Sequence, residues 1–275
     1  MILTDVHTHS AFSADGISPL ADMAKTAKSR GIRYYGVSEH FDYDYLLQGI
    51  LASGKPVRMT DAEAYFAEAR RLQRELSDDR FRLLAGGEYG FADDTRCHEK
   101  YARLTETFRP DFVVNSVHTC EGDDCYFREY FTGKEKDYAY RAYLEAVRKS
   151  LEAPYPYDIV AHLGYVSRNA PYADGKLRYD EYHEPIDDIL KQVILKDKIL
   201  EINSSSAGSG SGFLPDTDIL TRYFELGGRL VSFASDAHGV SRIAEKRELV
   251  CSALKRIGFT AITVPDCGER ISVEL

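Results

Sequence analysis

None of the 275 positions begins a run of 18 apolar residues, so no membrane-spanning helix is expected. The first residues lack a basic stretch followed by an apolar one, and residues 2–6 are only strand length. No secretory signal is therefore expected, and the expected location is cytoplasmic. Cysteine is scarce and odd in number: of five, only Cys120 and Cys125 lie close together, and no second pair completes a thiolate zinc site. Reduced thiols are the expectation, and the Asn203-Ser204-Ser205 sequon is expected to be inert. Positive charge is also in short supply. With 35 Lys and Arg against 44 Asp and Glu, the formal net charge is −9, the wrong sign for a nucleic-acid partner. A phosphate-bearing substrate would then need a local reversal of the field, which bound divalent cations supply. Internal repeats and linkers are absent, and the one low-complexity stretch, 204–212, reads as a flexible loop because it opens no immediate helix.

What is present is an alternation of strand and helix signals from end to end. Segments 2–6, 34–38, 81–87, 112–117, 159–161, 199–202, 230–235 and 261–264 read as strands. Between them run helical stretches. One is opened by Ser18-Pro19 and closed by Gly31; another has the capping-box form Thr60-Asp61-Ala62-Glu63 and ends near Leu76. Others lie at 96–108, 137–151, 182–196, 216–226 and 242–257, with Gly227 and Gly258 as stops. Seven or so strand–helix units without a composition break predict one barrel-like α/β domain over 1–275. Two Tyr-containing insertions, 42–59 and 119–136, follow strands and are placed to overhang the mouth of such a barrel.

The chemistry sits where the strands end. Segment 2–6 leads into His7-Thr8-His9, 34–38 into Glu39-His40, 81–87 into Glu88, 112–117 into His118, 159–161 into His162, and 230–235 into Asp236-Ala237-His238. In a ring of parallel strands the C-terminal ends form one mouth, so these residues would meet in a single polynuclear site. Alternation puts His7 and His9 on one face, a chelate for a borderline divalent ion, and Asp236 and His238 repeat the pattern. Glu88 follows Gly86-Gly87, whose missing side chains allow close backbone approach, and its two oxygens can bridge two cations. Asp15 adds a loop carboxylate. Alternation turns Glu39 away, and His98 and His183, on helices, read as surface residues. Arg168, on the loop after His162, is the candidate guanidinium for phosphoryl oxygens. Asp216-Thr217-Asp218 lacks the preceding hydrophobic strand that an aspartyl-phosphate nucleophile needs, and reads as a helix cap.

Together, His7-Thr8-His9, Asp15, Ser38-Glu39-His40, Gly87-Glu88, Asn115-Ser116-Val117-His118, His162 and Ser235-Asp236-Ala237-His238 resemble the motif set of the PHP (polymerase and histidinol phosphatase) superfamily, over essentially the whole chain. Within it, 126–134 (YFREYFTGK), the helix from Tyr138 and 162–168 (HLGYVSR) resemble the monofunctional histidinol-phosphate phosphatases. The resemblance implies a distorted (β/α)7 barrel, TIM-barrel-like, with a trinuclear site for divalent Zn, Mn or Fe. Carried over residue by residue, it implies His7, His9, Glu88 and Asp236 on one metal, and the bridging Glu88 with His118 and His162 on a second. Asp15, His40 and His238 would hold the third, and Glu88, Asp236 and His238 would also act in catalysis. Many superfamily members have His where Asp15 stands, and a carboxylate there lowers the net positive charge of the site.

The activity implied is hydrolysis of L-histidinol phosphate, in histidine biosynthesis, by metal-activated water. The partner would be a small phosphate ester, with no nucleic acid and no membrane. One alternative is a PHP phosphoesterase acting on nucleotides. Another is an amidohydrolase-type barrel cleaving a C–N bond, which often uses a barrel Lys that no strand here presents. A non-catalytic regulatory domain would leave a complete ligand set without a use.

Overall fold

The computed structural model describes residues 2–52, 54–205 and 210–275. Seven strands, β1 (Thr4–Asp5), β2 (Tyr34–Phe41), β3 (Arg82–Gly90), β4 (Val113–Ser116), β5 (Ile159–Val160), β6 (Ile199–Asn203) and β7 (Val231–Ala234), lie side by side in that order, all parallel. The two ends of the sheet are joined by backbone hydrogen bonds. Val6 N–H reaches Phe233 O at 3.2 Å, Asp236 N–H reaches His7 O at 2.9 Å, and His9 N–H reaches Ala237 O at 2.9 Å. The result is a nearly closed seven-stranded barrel, the distorted (β/α)7 fold expected from the sequence.

Among the described residues eight helices flank the strands: α1 (Leu20–Ser29), α2 (Tyr43–Gln48), α3 (Ala62–Leu76), α4 (Thr95–Phe108), α5 (Lys136–Ser150), α6 (His183–Leu195), α7 (Thr217–Glu225) and α8 (Arg247–Ile257). Helix α1 shows why: Leu20, Met23, Ala24 and Ala27, at helical spacing, are the residues it buries. Some starts differ from the expected ones. Pro19, not Ser18, occupies the cap of α1, because the Ser18 hydroxyl accepts from Val240 N–H at 3.2 Å. Asp61 caps α3 by accepting from Ala64 N–H at 3.0 Å, while the Thr60 hydroxyl donates to Phe12 O at 3.2 Å. The expected 242–257 helix begins only at Arg247. Ala244 and Lys246 take φ of 57° and 58°, which a right-handed helix cannot include. The late strand extends over β8 (Ala261–Asp266) and folds back as β9 (Glu269–Glu274) in an antiparallel hairpin separate from the barrel sheet.

The inside of the barrel is filled from its N-terminal end. Val264 and Val273 of the hairpin pack with Val6, Leu84, Phe112 and Ile199, each contributing roughly 1.5–3 kcal/mol by burial. The Phe112 ring lies across Gly86, where a Cβ would come within 2.4 Å of it. The C-terminal mouth stays open. The insertion 42–59 carries α2 and a two-residue ribbon, and 119–136 carries a second ribbon and a 3-10 turn at Arg128–Phe131. Residues 206–209 of the Ser/Gly-rich stretch lie outside the described residues.

Candidate metal centre

Strands β2 and β3 run three residues beyond the expected 34–38 and 81–87, so His40 and Glu88 lie within the strands, not after them. The register pairs their Cα positions, and the side chains meet across the ladder. His118 follows β4, His162 follows β5, and Asp236 and His238 follow β7. Asp236 has φ of 51°, a left-handed conformation that a non-glycine residue seldom adopts, and its N–H is held by His7 O. His7, His9, Glu88, His118, His162 and Asp236 are buried, His40 and His238 half-buried, and Asp15 exposed.

Glu88 is the hub. Its Oε1 lies 3.1 Å from both His118 Nε2 and His162 Nε2. Its Oε2 lies 2.9 Å from His40 Nδ1, 3.2 Å from His7 Nε2 and 3.5 Å from His9 Nε2. His9 Nε2 is also 3.4 Å from Asp236 Oδ1. Asp15 reaches His238 Nε2 at 3.1 Å with one oxygen and His40 Nε2 at 3.9 Å with the other. The groupings overlap. His9 gathers with His7 and Glu88 and equally with His40 and His238, its ring 4.1 and 4.3 Å from the last two.

Five of these atoms, His7 Nε2, His9 Nε2, His40 Nδ1, Glu88 Oε2 and His238 Nε2, are buried with no hydrogen-bond partner, a costly arrangement if left so. Divalent cations held by these atoms would resolve it. Two donors each about 2.1 Å from one ion, at tetrahedral or octahedral angles, sit about 3.0–3.4 Å apart, which matches the spacing here. Imidazole and carboxylate together suit a borderline divalent ion.

The charges are set for that task. Burial alone pushes the Glu88 carboxyl up, but His7, His40 and His118 outweigh it and hold it well below the usual range. Asp236 follows the same logic, with Arg168 the main opposing charge. His9 is pushed down to about 3 by burial and by the neighbouring His40 and His238, and is therefore a neutral donor. Burial would also lower His7, His40 and His118, yet the carboxylates around them raise all three.

Several contributors were not picked out in the sequence. Glu201 on β6 takes His7 Nδ1 at 2.6 Å with one oxygen. Its other oxygen accepts from His162 N–H at 3.1 Å and Asn203 Nδ2 at 2.8 Å. Such a bond fixes the tautomer and presents His7 Nε2 to the site. The available signal was a carboxylate at the centre of an apolar parallel strand, which must be paired if buried. Asn203 donates to Asp236 Oδ2 at 3.2 Å and accepts from Arg168 Nη2 at 3.0 Å. Asp42, adjacent to β2, adds a carboxylate 3.6 Å from His40 Nδ1. Glu39 does point away from the site. It accepts from the N–H and hydroxyl groups of Ser10 and Ser13, and so shapes the turn before Asp15.

Arg168 lies at the mouth, where its Nη2 is 2.9 Å from Asp236 Oδ2 and its Nε is buried without a partner. His183 is exposed, but His98 is half-buried: its Nε2 meets Ala92 O at 2.8 Å and its ring stacks on Phe91. Asp216 caps α7 by accepting from Thr217 N–H at 2.8 Å. All five cysteines are free.

A cavity of about 750 Å³ opens over these residues, walled by both insertions and by the loops after β5, β6 and β7. Among the described residues no helix is long and apolar enough to cross a membrane.

The chain is similar to known proteins. The histidinol-phosphatase of Lactococcus lactis is 28% identical over 256 residues, covering 93% of this chain and 91% of that protein. A probable histidinol-phosphatase of Clostridium acetobutylicum is 26% identical over 234 residues, covering 85% and 86%. The crystal structure of histidinol phosphate phosphatase from Lactococcus lactis, complexed with zinc, L-histidinol and phosphate, superposes with a TM-score of 0.84 at 26% identity over 98% of both chains. The family model described as the PHP domain matches residues 5–205, and the chain belongs to the PHP domain family.

Proposed function

We propose that this chain is a single-domain, metal-dependent phosphomonoesterase that hydrolyses L-histidinol phosphate to L-histidinol and phosphate, a step of histidine biosynthesis. The observation that carries the reading is Glu88, whose two oxygens face separate sets of histidine nitrogens at the floor of the cavity, those around Oε2 without hydrogen-bond partners. The likeness to a structure holding zinc, L-histidinol and phosphate supports the substrate.

Three cations would be held, by His7, His9, Glu88 and Asp236, by Glu88, His118 and His162, and by Asp15, His40 and His238. Zinc, manganese and iron all suit these donors. When bound, such cations supply charge for the phosphoryl oxygens and a water acidified toward neutral pH. The chain's own residues prepare the rest. Glu88 keeps the two histidine sets in fixed relation, and Glu201 orients His7. Arg168 and Asn203 hold Asp236, and the Arg168 guanidinium, whose Nε is unpartnered, would meet a phosphoryl oxygen. His238 and Asp15 line the cavity together, 3.1 Å apart.

The test is phosphate release from histidinol phosphate, a panel of nucleotides and 4-nitrophenyl phosphate, with and without chelator. A preference for histidinol phosphate that chelation abolishes is expected. A preference for nucleotides would overturn the substrate assignment, and full activity in metal-stripped protein would overturn the mechanism.

A further inference from the structure

The cavity is divided by charge. Over the C-terminal ends of β5 to β7 its wall carries Arg168, Arg242 and Lys246, with Glu245 paired to Arg242 at 2.8 Å. Over β2 to β4 it carries Asp42 and Asp124. The acidic half is built from the two insertions and meets the basic half at Tyr165, on the loop after β5, whose ring lies 5.0 Å from the Arg168 guanidinium. Asp124 accepts from Tyr45 of α2 at 2.8 Å, from Tyr165 at 3.3 Å and from Tyr126 N–H at 2.8 Å. Those three donors leave about one of its four acceptor positions for something else. Asp42, Asp124, Tyr45 and Tyr165 are each only 7% exposed. Asp42 Oδ1 lies 3.6 Å from His40 Nδ1, too far for a hydrogen bond, and has no hydrogen-bond partner although the residue is more than nine-tenths buried and lines the cavity. A carboxylate left without a donor beside a second, tyrosine-lined carboxylate calls for a cationic, hydrogen-bond-donating group with an apolar or aromatic body.

We infer that Asp42 and Asp124, walled by Tyr45 and Tyr165, form the subsite for the cationic end of the substrate, opposite the half that faces its phosphate. The inference rests on the phosphatase reading and names the residues that set its specificity. A monoester carrying an ammonium or protonated imidazole fits both halves at once. A neutral aryl phosphate fills only the basic half, and a nucleotide brings additional anionic or neutral groups against Asp42 and Asp124. The chain's net charge of −9 favours the same choice at longer range.

The experiment measures kcat/KM for histidinol phosphate and for 4-nitrophenyl phosphate, which has no cationic group, in metal-loaded wild type, Asp124→Asn and Asp42→Asn. The readout is the ratio of the two values, from which any inactive fraction of the protein cancels. Removing one charged hydrogen bond lowers such a ratio about 10- to 100-fold, mainly through KM for histidinol phosphate. Asp42→Asn protects the test against a folding defect in Asp124→Asn, because Asp42 Oδ1 accepts no hydrogen bond that the amide would break. Ratios equal to wild type in both variants would overturn the inference while leaving the phosphatase reading intact. Loss of bound metal in Asp42→Asn would also overturn it, since Asp42 would then be a ligand beside His40 and His118. A wild-type enzyme that fails to hydrolyse histidinol phosphate refutes the functional reading and this inference with it.

Discussion

Glu201→Gln changes one atom type in a buried network and should weaken metal binding without disturbing the barrel. In the native chain one Glu201 oxygen meets His7 Nδ1 at 2.6 Å, and the other accepts from His162 N–H and Asn203 Nδ2. All three neighbours present donors once His7 offers Nε2 to the site. A glutamine has one oxygen and one NH2. Whichever way it turns, its NH2 faces a buried donor: His7 Nδ1–H in one orientation, His162 N–H and Asn203 Nδ2 in the other. A buried unsatisfied group costs about 1–3 kcal/mol, so the His7 ligand should be held less well by roughly 10- to 100-fold. Competition against a chromophoric zinc chelator measures the affinity, and thermal unfolding of the metal-free protein checks the fold. Zinc affinity equal to wild type in Glu201→Gln would refute the argument, because the hydrogen bond would then have no part in presenting His7.

The barrel was readable because most strands announce themselves by a short apolar run that leads into a candidate ligand. His7, His118, His162 and Asp236 fall close to strand ends for that reason. Periodicity could not reveal that β2 and β3 continue through His40 and Glu88, because a charged residue inside a strand looks like its end. Glu201 and Asn203 were missed for a related reason. Their role exists only across the barrel, where they meet His7, Asp236 and Arg168 from other strands and loops. Asp42 and Asp124 sit in insertions whose short elements have no periodicity to read, and their meeting depends on Tyr45 and Tyr165. The hairpin β8–β9 and the late start of α8 are tertiary outcomes too. Val264 and Val273 find their place only once the barrel's N-terminal end exists to be filled.

Glu88→Ala and His9→Ala should each lower kcat by several orders of magnitude, since both remove donors from the atoms that would ionise water, while circular dichroism shows the barrel intact. Chelation should abolish phosphate release and added Zn, Mn or Fe should restore it; a trapped phospho-Asp216 would refute the mechanism. Arg168→Ala should lower kcat/KM by about 2–4 kcal/mol if the guanidinium meets the phosphoryl group. Because Arg168 also holds Asp236 at 2.9 Å, some loss of metal affinity should accompany it. Metal uptake should release protons. In the metal-free site burial works to lower His7, His40, His118 and His238, but the surrounding carboxylates raise each above the ordinary imidazole value of 6.5. A raised pKa means that these rings keep their protons below the raised value, whereas cation binding needs them neutral. Metal affinity must therefore be weakest in acid and rise with pH through and beyond 6.5, with His9, already pushed down to about 3, contributing no proton. Calorimetric zinc titrations at pH 7, run in buffers of different ionisation enthalpy, should give a net release of protons per chain, and a buffer-independent heat would refute the assignment of these histidines as ligands.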